Sequence, residues 1–289
     1  LDDPKYAARA NLDMAALPVQ KSYAFKDAGM YVFRNAWGPD QIHMGLHCSE
    51  EAISGHDQPD NGTFELYAFG RWLMPDTGFY TYGHDLAGRA WHRQTSVHQT
   101  LTLDGKDTTD DGRHLLWQSD DTADILVVEN GSYQNLVHRR TVWFVDHTFF
   151  VLLDEAIGDA TGQLKLHFQF APGEVVFDEA NSRAHTQFDD ANVLVTGGAP
   201  RRMVEEEGWF AWAYGHRAPR KAFRYELAER APTYAVTCVV PYRGKDVPEV
   251  SVTTESVETG ADRVEISVEV FGRRWKIGRD LASQEAWCR

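Results

Sequence analysis

Residues 141–153 read Thr-Val-Trp-Phe-Val-Asp-His-Thr-Phe-Phe-Val-Leu-Leu, and they show the architecture of this chain more clearly than any other stretch. β-Branched and aromatic residues fill both halves of the stretch, and this composition is typical of strands. The polar residues Asp146 and His147 interrupt the apolar run after Val145 and indicate a turn. The stretch therefore predicts two short strands that are separated by a turn.

Similar β-type runs occur before and after this stretch, beginning after Ser22. Several of them alternate strictly between apolar and polar residues. Turn signals such as Asp104-Gly105, Pro172-Gly173 and Gly197-Gly198 separate the runs. The further runs lie at 29–34, 42–47, 63–69, 99–103, 125–128, 163–170, 235–239 and 263–270. This regular spacing predicts an all-β fold, a large antiparallel β-sandwich, rather than βαβ units.

The beginning of the chain has a different pattern. Residues 2–17 are Ala-rich, carry apolar residues at helical spacing and are followed by Pro18, so they predict a short helix or a linker. We therefore divide the chain into a linker or helical remnant over 1–20 and one sandwich domain over 21–289. Because the start has neither Met nor the features of a signal peptide, we expect a chain that was processed, truncated or cut from a longer polypeptide.

Charge and hydropathy exclude two classes of function. The chain has 29 basic and 43 acidic residues, a net charge of −14, which argues against a nucleic-acid partner. No run approaches the roughly 20 apolar residues of a membrane helix, so we expect no membrane span. Local arginine clusters at Arg139-Arg140, Arg201-Arg202 and Arg273-Arg274 are interpreted as solvated strand edges.

Three segments concentrate the side chains that can do chemistry: His56 to Glu65, Arg71 to Gly78 and Arg93 to His98. Imidazole, carboxamide, carboxylate and guanidinium groups occur there between short apolar strands. A rigid sheet presents polar groups at a cleft in this way, whereas a core is built from apolar residues. We therefore expect the functional site in these segments.

A divalent cation is one ligand that these segments could hold. His56 and Gln58 lie two apart, so on an extended segment both face one side and Asp57 faces the other. Asp76 follows a strand and His98 precedes another, which allows both to reach the same cleft. Gln58, Asp76 and His98 offer two oxygens and one nitrogen, a set that suits zinc or manganese, with His56 beside it. Ordinary loop residues remain the alternative, because spacing alone does not separate the two in a chain with 12 histidines.

The same segments resemble the C-terminal domain of heparinase II/III-type polysaccharide lyases, and most of all the heparinase III, or heparan-sulfate lyase, branch. The resemblance is carried by Gly-His-Asp-Gln-Pro-Asp-Asn-Gly-Thr-Phe-Glu at 55–65, by Leu-Met-Pro-Asp-Thr-Gly-Phe-Tyr-Thr-Tyr at 73–82, and by residues 93–105. Weaker similarity extends to about Pro172, and the last hundred or so residues are similar only in their strand character. The three-part motif is more specific for the superfamily than for a substrate.

The resemblance implies a two-part enzyme, in which an N-terminal (α/α) toroid domain packs against the sandwich and an acidic polysaccharide lies between them. This chain would be the sandwich of a lyase that cleaves a heparan-sulfate-like glycosaminoglycan by β-elimination and needs the toroid for full activity. The resemblance also implies a periplasmic or secreted bacterial protein. A lyase for another uronan such as alginate, and a carbohydrate-binding sandwich without chemistry, are the alternatives.

Residue roles carried over from the resemblance fall on the same segments. His56 matches the sandwich histidine that enters the active site, as base or as partner of the substrate carboxylate. Gln58, Asp76 and His98 match the metal-ligand positions. Much of the superfamily has His-x-His where this chain has His56-Asp57-Gln58, which lowers the expected affinity for zinc and allows manganese or calcium. We expect the ion to shape the loops rather than to act on the substrate.

Substrate-binding residues are expected between these motifs. Tyr82, Arg89 and Arg93 fall in the segment that lines the cleft in the relatives, where arginines could clamp a sulfate or a carboxylate. Simple strand packing is the alternative role for Tyr82.

Overall fold

The computed structural model describes residues 17–50 and 56–289. Regular structure in this part of the chain is almost entirely antiparallel β-strand, in four sheets. The first sheet contains five strands in chain order: β1 (Tyr23–Phe25), β2 (Met30–Arg34), β3 (Ile42–His47), β4 (Phe64–Ala68) and β5 (Arg71–Met74). One α-helix, α1 (Leu86–His92), follows β5 in the described residues.

The remaining strands form the other three sheets. They are β6 (Leu101–Leu103), β7 (Gly112–Ser119), β8 (Ala123–Tyr133), β9 (Leu136–Val145), β10 (Phe149–Gly158), β11 (Thr161–Gln169), β12 (Val175–Asp178), β13 (Arg183–Thr186), β14 (Ala191–Gly197), β15 (Arg202–Ala213), β16 (His216–Arg230), β17 (Thr233–Arg243), β18 (Val250–Ser256), β19 (Arg263–Val270), β20 (Arg273–Asp280) and β21 (Glu285–Cys288). Eight strands form the central sheet in the order β12-β13-β14-β17-β10-β9-β8-β7. A four-stranded sheet has the order β15-β16-β11-β6, and the C-terminal sheet runs from β18 to β21.

The central sheet is covered on both faces, which explains the continuous apolar character of β9 and β10. Val142 and Phe144 belong to a core shared with the first sheet and with strands β6, β11, β15 and β16. The neighbouring residues Trp143 and Val145 belong to a second core, against the C-terminal sheet. Because side chains alternate along a strand, a sheet between two cores needs apolar residues at every position. The protein is therefore a sandwich of three layers.

The predicted antiparallel sandwich is confirmed. All the predicted runs contain strand residues, and the turn between β9 and β10 holds Asp146 and His147 with φ of 49° and 50°. The run predicted over 99–103 forms a strand only from Leu101, because a short 3-10 turn (Thr95–Val97) and His98 precede it. The helix or linker predicted over 2–17 lies outside the described residues except for Leu17, and the domain boundary at residue 20 stays a prediction. Across 17–50 and 56–289, no helix is long and apolar enough to span a bilayer.

Candidate functional site

A cavity of about 370 Å³ opens beside β3 and β4 and gathers several of the predicted site residues. His56, Gln58 and Asp76 all line it. The other lining residues include Asp57, Glu65, His47, Asp60 and Asn61. Residues 56–59 form no strand, and Asp57 lines the same cavity as its neighbours, so the alternation predicted for this segment is wrong. The shared cavity nevertheless brings His56 and two of the three predicted ligands together.

His56 is paired with a tyrosine at the surface. Its Nδ1 lies 2.9 Å from the hydroxyl oxygen of Tyr82, and the two rings meet edge to face at 5.6 Å. Tyr82 follows the loop that begins at Asp76 and is about half exposed. An imidazole beside a phenol in an accessible position is an arrangement that can exchange protons with a bound ligand.

Asp76 and His98 form a pair in which the imidazole is buried and the carboxylate is 32% exposed. Oδ1 of Asp76 lies 2.7 Å from Nδ1 of His98, and Oδ2 accepts the N–H of Gly78 at 2.8 Å. Burial by itself raises the pKa of Asp76, but the charge of His98 and these hydrogen bonds hold that pKa well below its usual range. Burial lowers the pKa of His98, and the adjacent carboxylate outweighs this effect and raises it. The two side chains therefore favour the ionised form of each other.

The residues predicted as ligands fit a divalent cation. Oε1 of Gln58 and Nε2 of His98 are buried and accept or donate no hydrogen bond among the described residues. Buried polar atoms without partners are unusual and often mark the place of an ion or a water. No three His, Cys, Asp or Glu side chains of the described residues form a ligand group, so a set at this place depends on the carboxamide of Gln58. Asp76 retains lone pairs for an ion beside its two hydrogen bonds.

Arg220 fastens the two loops that carry this pair. This side chain of β16 is buried, and its Nη1 donates to the main-chain oxygens of Pro75 and Asp76 at 2.7 and 3.3 Å. Its Nη2 donates to the oxygen of Val97 at 3.3 Å, one residue before His98. Burial lowers the pKa of Arg220 to about 10, against the opposing charge of Asp76. Arg220 was not among the predicted site residues.

A second buried arginine, Arg140, fixes main-chain segments next to the cavity. Arg140 of β9 is 1% exposed, its Nε lies 2.7 Å from Oδ1 of Asp154, and Nε2 of His138 lies 2.7 Å from the same oxygen. Its Nη1 donates to the main-chain oxygens of Gly62 and Gln99. The interpretation of Arg139-Arg140 as a solvated strand edge is therefore wrong for Arg140. Because the central sheet is covered by protein on both faces at this position, the guanidinium of Arg140 is out of water and needs a carboxylate partner.

The predicted substrate-binding arginines lie next to the cavity. Arg89 is on α1, and Arg93 follows the last residue of this helix. Asp85 caps this helix by accepting the N–H of Gly88 at 2.8 Å. The guanidinium of Arg89 lies 5.8 Å from the ring centre of Tyr82. Arg89 and Arg93 line a second cavity of about 430 Å³, together with Pro59, which follows Gln58 in the chain. The structure thus places Arg89 beside Tyr82, and both arginines at the neighbouring cavity.

Comparisons with known proteins agree with this fold. The family model described as "Heparinase II/III-like, C-terminal" matches residues 18–264. A heparin-sulfate lyase of Bacteroides stercoris is 37% identical over 278 residues, which cover 92% of this chain and 41% of that protein. A heparin-sulfate lyase of Pedobacter heparinus is 38% identical over 241 residues, 80% of this chain and 36% of that protein.

Solved structures give the same result. A heparinase III structure superposes with a TM-score of 0.89 at 35% identity and covers 96% of this chain and 44% of its own. The structure of the heparan sulfate lyase HepC from Pedobacter heparinus superposes with a TM-score of 0.88 at 31% identity, over 96% of this chain and 47% of its own. This chain spans about two fifths of the length of the curated relatives that it matches. By sequence and by structure, the chain belongs to the Heparinase II/III-like C-terminal family.

Proposed function

We propose that this chain is the sandwich part of a polysaccharide lyase that cleaves a uronic-acid-containing glycosaminoglycan of the heparan-sulfate type. The observation that carries the proposal is the position of His56, which lines a cavity and is hydrogen-bonded to Tyr82 at 2.9 Å. The family and the names of the relatives, heparin-sulfate lyase and heparan sulfate lyase, support the reaction and the substrate class.

The chemistry is a β-elimination. A base removes the proton at C5 of the uronate, the electron pair forms the C4–C5 double bond, the bond from C4 to the bridging oxygen breaks, and an acid protonates that oxygen. His56 serves either as the base or as the partner that neutralises the carboxylate, since an imidazole can do both near neutral pH. Tyr82 orients the ring of His56, and the guanidinium of Arg89 attracts the anionic groups of the saccharide.

A divalent cation belongs to the proposal as a structural component. Gln58, Asp76 and His98 would hold it, since they supply the oxygen and nitrogen ligands that manganese, calcium or zinc accepts. Such an ion would supply folding energy and fix the loops around the cavity. In this chain, Arg220 already ties the loops of Asp76 and His98 together and so keeps the ligands close to each other.

The rest of the enzyme is expected in a separate domain. Because the chain covers 41% to 47% of three of its two-part relatives, we propose that an N-terminal (α/α) toroid of the same polypeptide completes the groove. The names of the relatives support an acidic polysaccharide as substrate. A periplasmic or secreted location, which gives access to such a polymer, is part of the same proposal.

The test uses the full-length polypeptide and the ultraviolet absorbance of the unsaturated uronate product. We expect His56→Ala to lower kcat by about 10²- to 10⁴-fold, the usual contribution of a positioned acid or base. His185→Ala, a change in strand β13 of the central sheet, is the matched control and should keep the parental rate. A parental rate in His56→Ala would contradict the catalytic role. Faster product formation on alginate than on heparan sulfate would contradict the substrate class.

A further inference from the structure

Residues 212–216, which comprise the turn between β15 and β16 and the adjoining ends of the two strands, expose large aromatic rings and are called the aromatic turn here. Trp212 and Tyr214 have 57% and 58% of their surface exposed. The ring of Trp212 stacks on His216 with 6.0 Å between the centroids. Aromatic side chains usually contribute to cores and interfaces, so a group of exposed rings on one turn indicates a binding surface.

This aromatic turn is continuous with the candidate active site. The ring of Tyr214 lies 6.2 Å from that of Tyr82 and 5.9 Å from that of His84. Tyr82 in turn contacts His56. A row of rings therefore leads from His56 through Tyr82 to Tyr214, with Trp212 on the same turn.

The aromatic turn is held rigidly against the loop that carries Asp76 and Tyr82. The hydroxyl oxygen of Tyr214 accepts the N–H of Tyr82 at 3.3 Å. Two main-chain bonds join the same segments: Gly215 N–H to Tyr80 O at 2.7 Å and Ala211 N–H to Thr77 O at 2.9 Å. A preorganised surface loses little conformational entropy when a ligand binds, which favours a binding role.

The charge of this surface suits an anion, in contrast to the net charge of −14 of the whole chain. The guanidinium of Arg89 lies over the rings of Phe79 and Tyr82, at 5.6 and 5.8 Å. Arg217 lies over the ring of Trp209 at 4.5 Å; Asp85 lies 3.9 Å from Arg217, and Glu207 accepts the N–H of the Trp209 ring. Cationic groups among aromatic faces can bind a molecule that has both apolar CH faces and acidic substituents.

We propose that the aromatic turn is a second saccharide subsite, in which Trp212 and Tyr214 stack on sugar rings of the anionic polysaccharide that lie beyond the sugars in the cavity of His56. This subsite rests on the proposed lyase function and adds to it a preference for substrates of a certain length. It makes the enzyme prefer chains longer than a disaccharide, because a disaccharide held in the cavity of His56 contacts neither Trp212 nor Tyr214.

The experiment measures saccharide binding to the full-length polypeptide that carries His56→Ala, by calorimetry. Trp212→Ala and Tyr214→Ala in this background should each weaken the binding of a long heparan-sulfate oligosaccharide by about three- to tenfold, the typical effect of one aromatic contact. Binding of a disaccharide should not change. The control is Phe271→Ala, because Phe271 is 51% exposed and lies in the turn between β19 and β20 of the C-terminal sheet.

Each outcome separates the subsite from the proposed function. Product formation by the His56→Ala background would contradict the role of His56, and the subsite would then be judged by the KM for the long oligosaccharide, which Trp212→Ala and Tyr214→Ala should raise. Equal affinity of parent, Trp212→Ala and Tyr214→Ala for the long oligosaccharide would overturn the subsite. Unchanged affinity with a lower melting temperature of the full-length protein would also overturn it, and would indicate a structural role for the two rings.

Discussion

The imidazole of His98 and the carboxylate of Asp76 are hydrogen-bonded at 2.7 Å, although they lie on separate loops and 22 residues apart in the chain. The contact joins the end of β5 to the beginning of β6. For the proposed metal site, this contact would orient the nitrogen and oxygen ligands relative to each other before an ion binds, which is how preorganised metal sites gain affinity.

Removal of a ligand should lower the metal content. We expect Asp76→Ala and Gln58→Ala to reduce the affinity for Mn²⁺ by at least about tenfold, since each change removes an oxygen ligand. Elemental analysis and titration with Mn²⁺ measure the effect. Asp189→Ala, at an exposed aspartate paired with Lys245, is the control. Equal metal content in parent and variants would rule out this site.

Loosening the loops should weaken the same site without a change of ligand. Arg220→Met removes the hydrogen bonds to Pro75, Asp76 and Val97, and we expect about tenfold weaker Mn²⁺ binding. Arg220→Lys keeps the charge and should restore part of the affinity. Arg224→Met removes a partly exposed arginine of the same strand that pairs with Glu206 and Glu226, and it serves as control. If both methionine variants bind Mn²⁺ like the parent, Arg220 has no positioning role.

The buried charge network below the cavity should be costly to break. Asp154→Asn leaves Arg140 and His138 without their carboxylate, and we expect a loss of about 3–5 kcal/mol in the free energy of unfolding. Glu269→Gln breaks a surface pair with Arg274 and should cost less than about 1 kcal/mol. Urea denaturation of the two variants gives the comparison. Similar midpoints would show that the network contributes little.

Acid should destabilise the fold through buried histidines. Burial lowers the pKa of His92 to about 4, below the value of about 6.5 for a histidine in an unfolded chain. As the pH falls from about 6.5 to 4, the unfolded state takes up a proton on this histidine and the folded state does not. The free energy of unfolding is therefore unaffected by His92 above this range and decreases as the pH falls through it.

The loss attributable to His92 should be on the order of 2 kcal/mol. His92→Gln should flatten the dependence of the free energy of unfolding on pH between 4 and 6.5, as measured by urea denaturation at several pH values. His43 and His114, whose pKa burial also lowers to about 4, preserve part of the slope. The same slope in parent and variant would contradict the assignment to His92.

Sequence patterns predicted the sandwich well because its central strands are strongly apolar. They missed several strands, among them β7, β14 and β20. In β15 and β16 charged residues interrupt the pattern: Glu205, Glu206, Glu207 and, on the partner strand, Lys221 and Arg224. These strands bury only part of their surface, so the apolar signal on which strand prediction depends is weak there. The helix α1 was missed because its seven residues are too few for helical periodicity to show.

Part of the candidate site also followed from local sequence. The shared cavity of His56, Gln58 and Asp76 and the contact between Asp76 and His98 agree with the motifs. Arg220 could not be found in this way, because its partners are main-chain oxygens 123 to 145 residues earlier in the chain. The pairing of Arg140 with Asp154 was partly indicated by the sequence, since Arg140 precedes one apolar run and Asp154 follows the next. Local sequence does not give the strand register that places the two residues opposite each other.

The central sheet has a second apolar face, which carries Trp143 and is covered by strands β18 to β21. The family match ends at residue 264, within β19, whereas this covering sheet continues to Cys288. A shortened chain that stopped at the end of the match would expose a broad hydrophobic face and unpaired strand edges, both of which promote aggregation. We therefore expect any expressed version of this domain to need the final 25 or so residues in order to stay soluble.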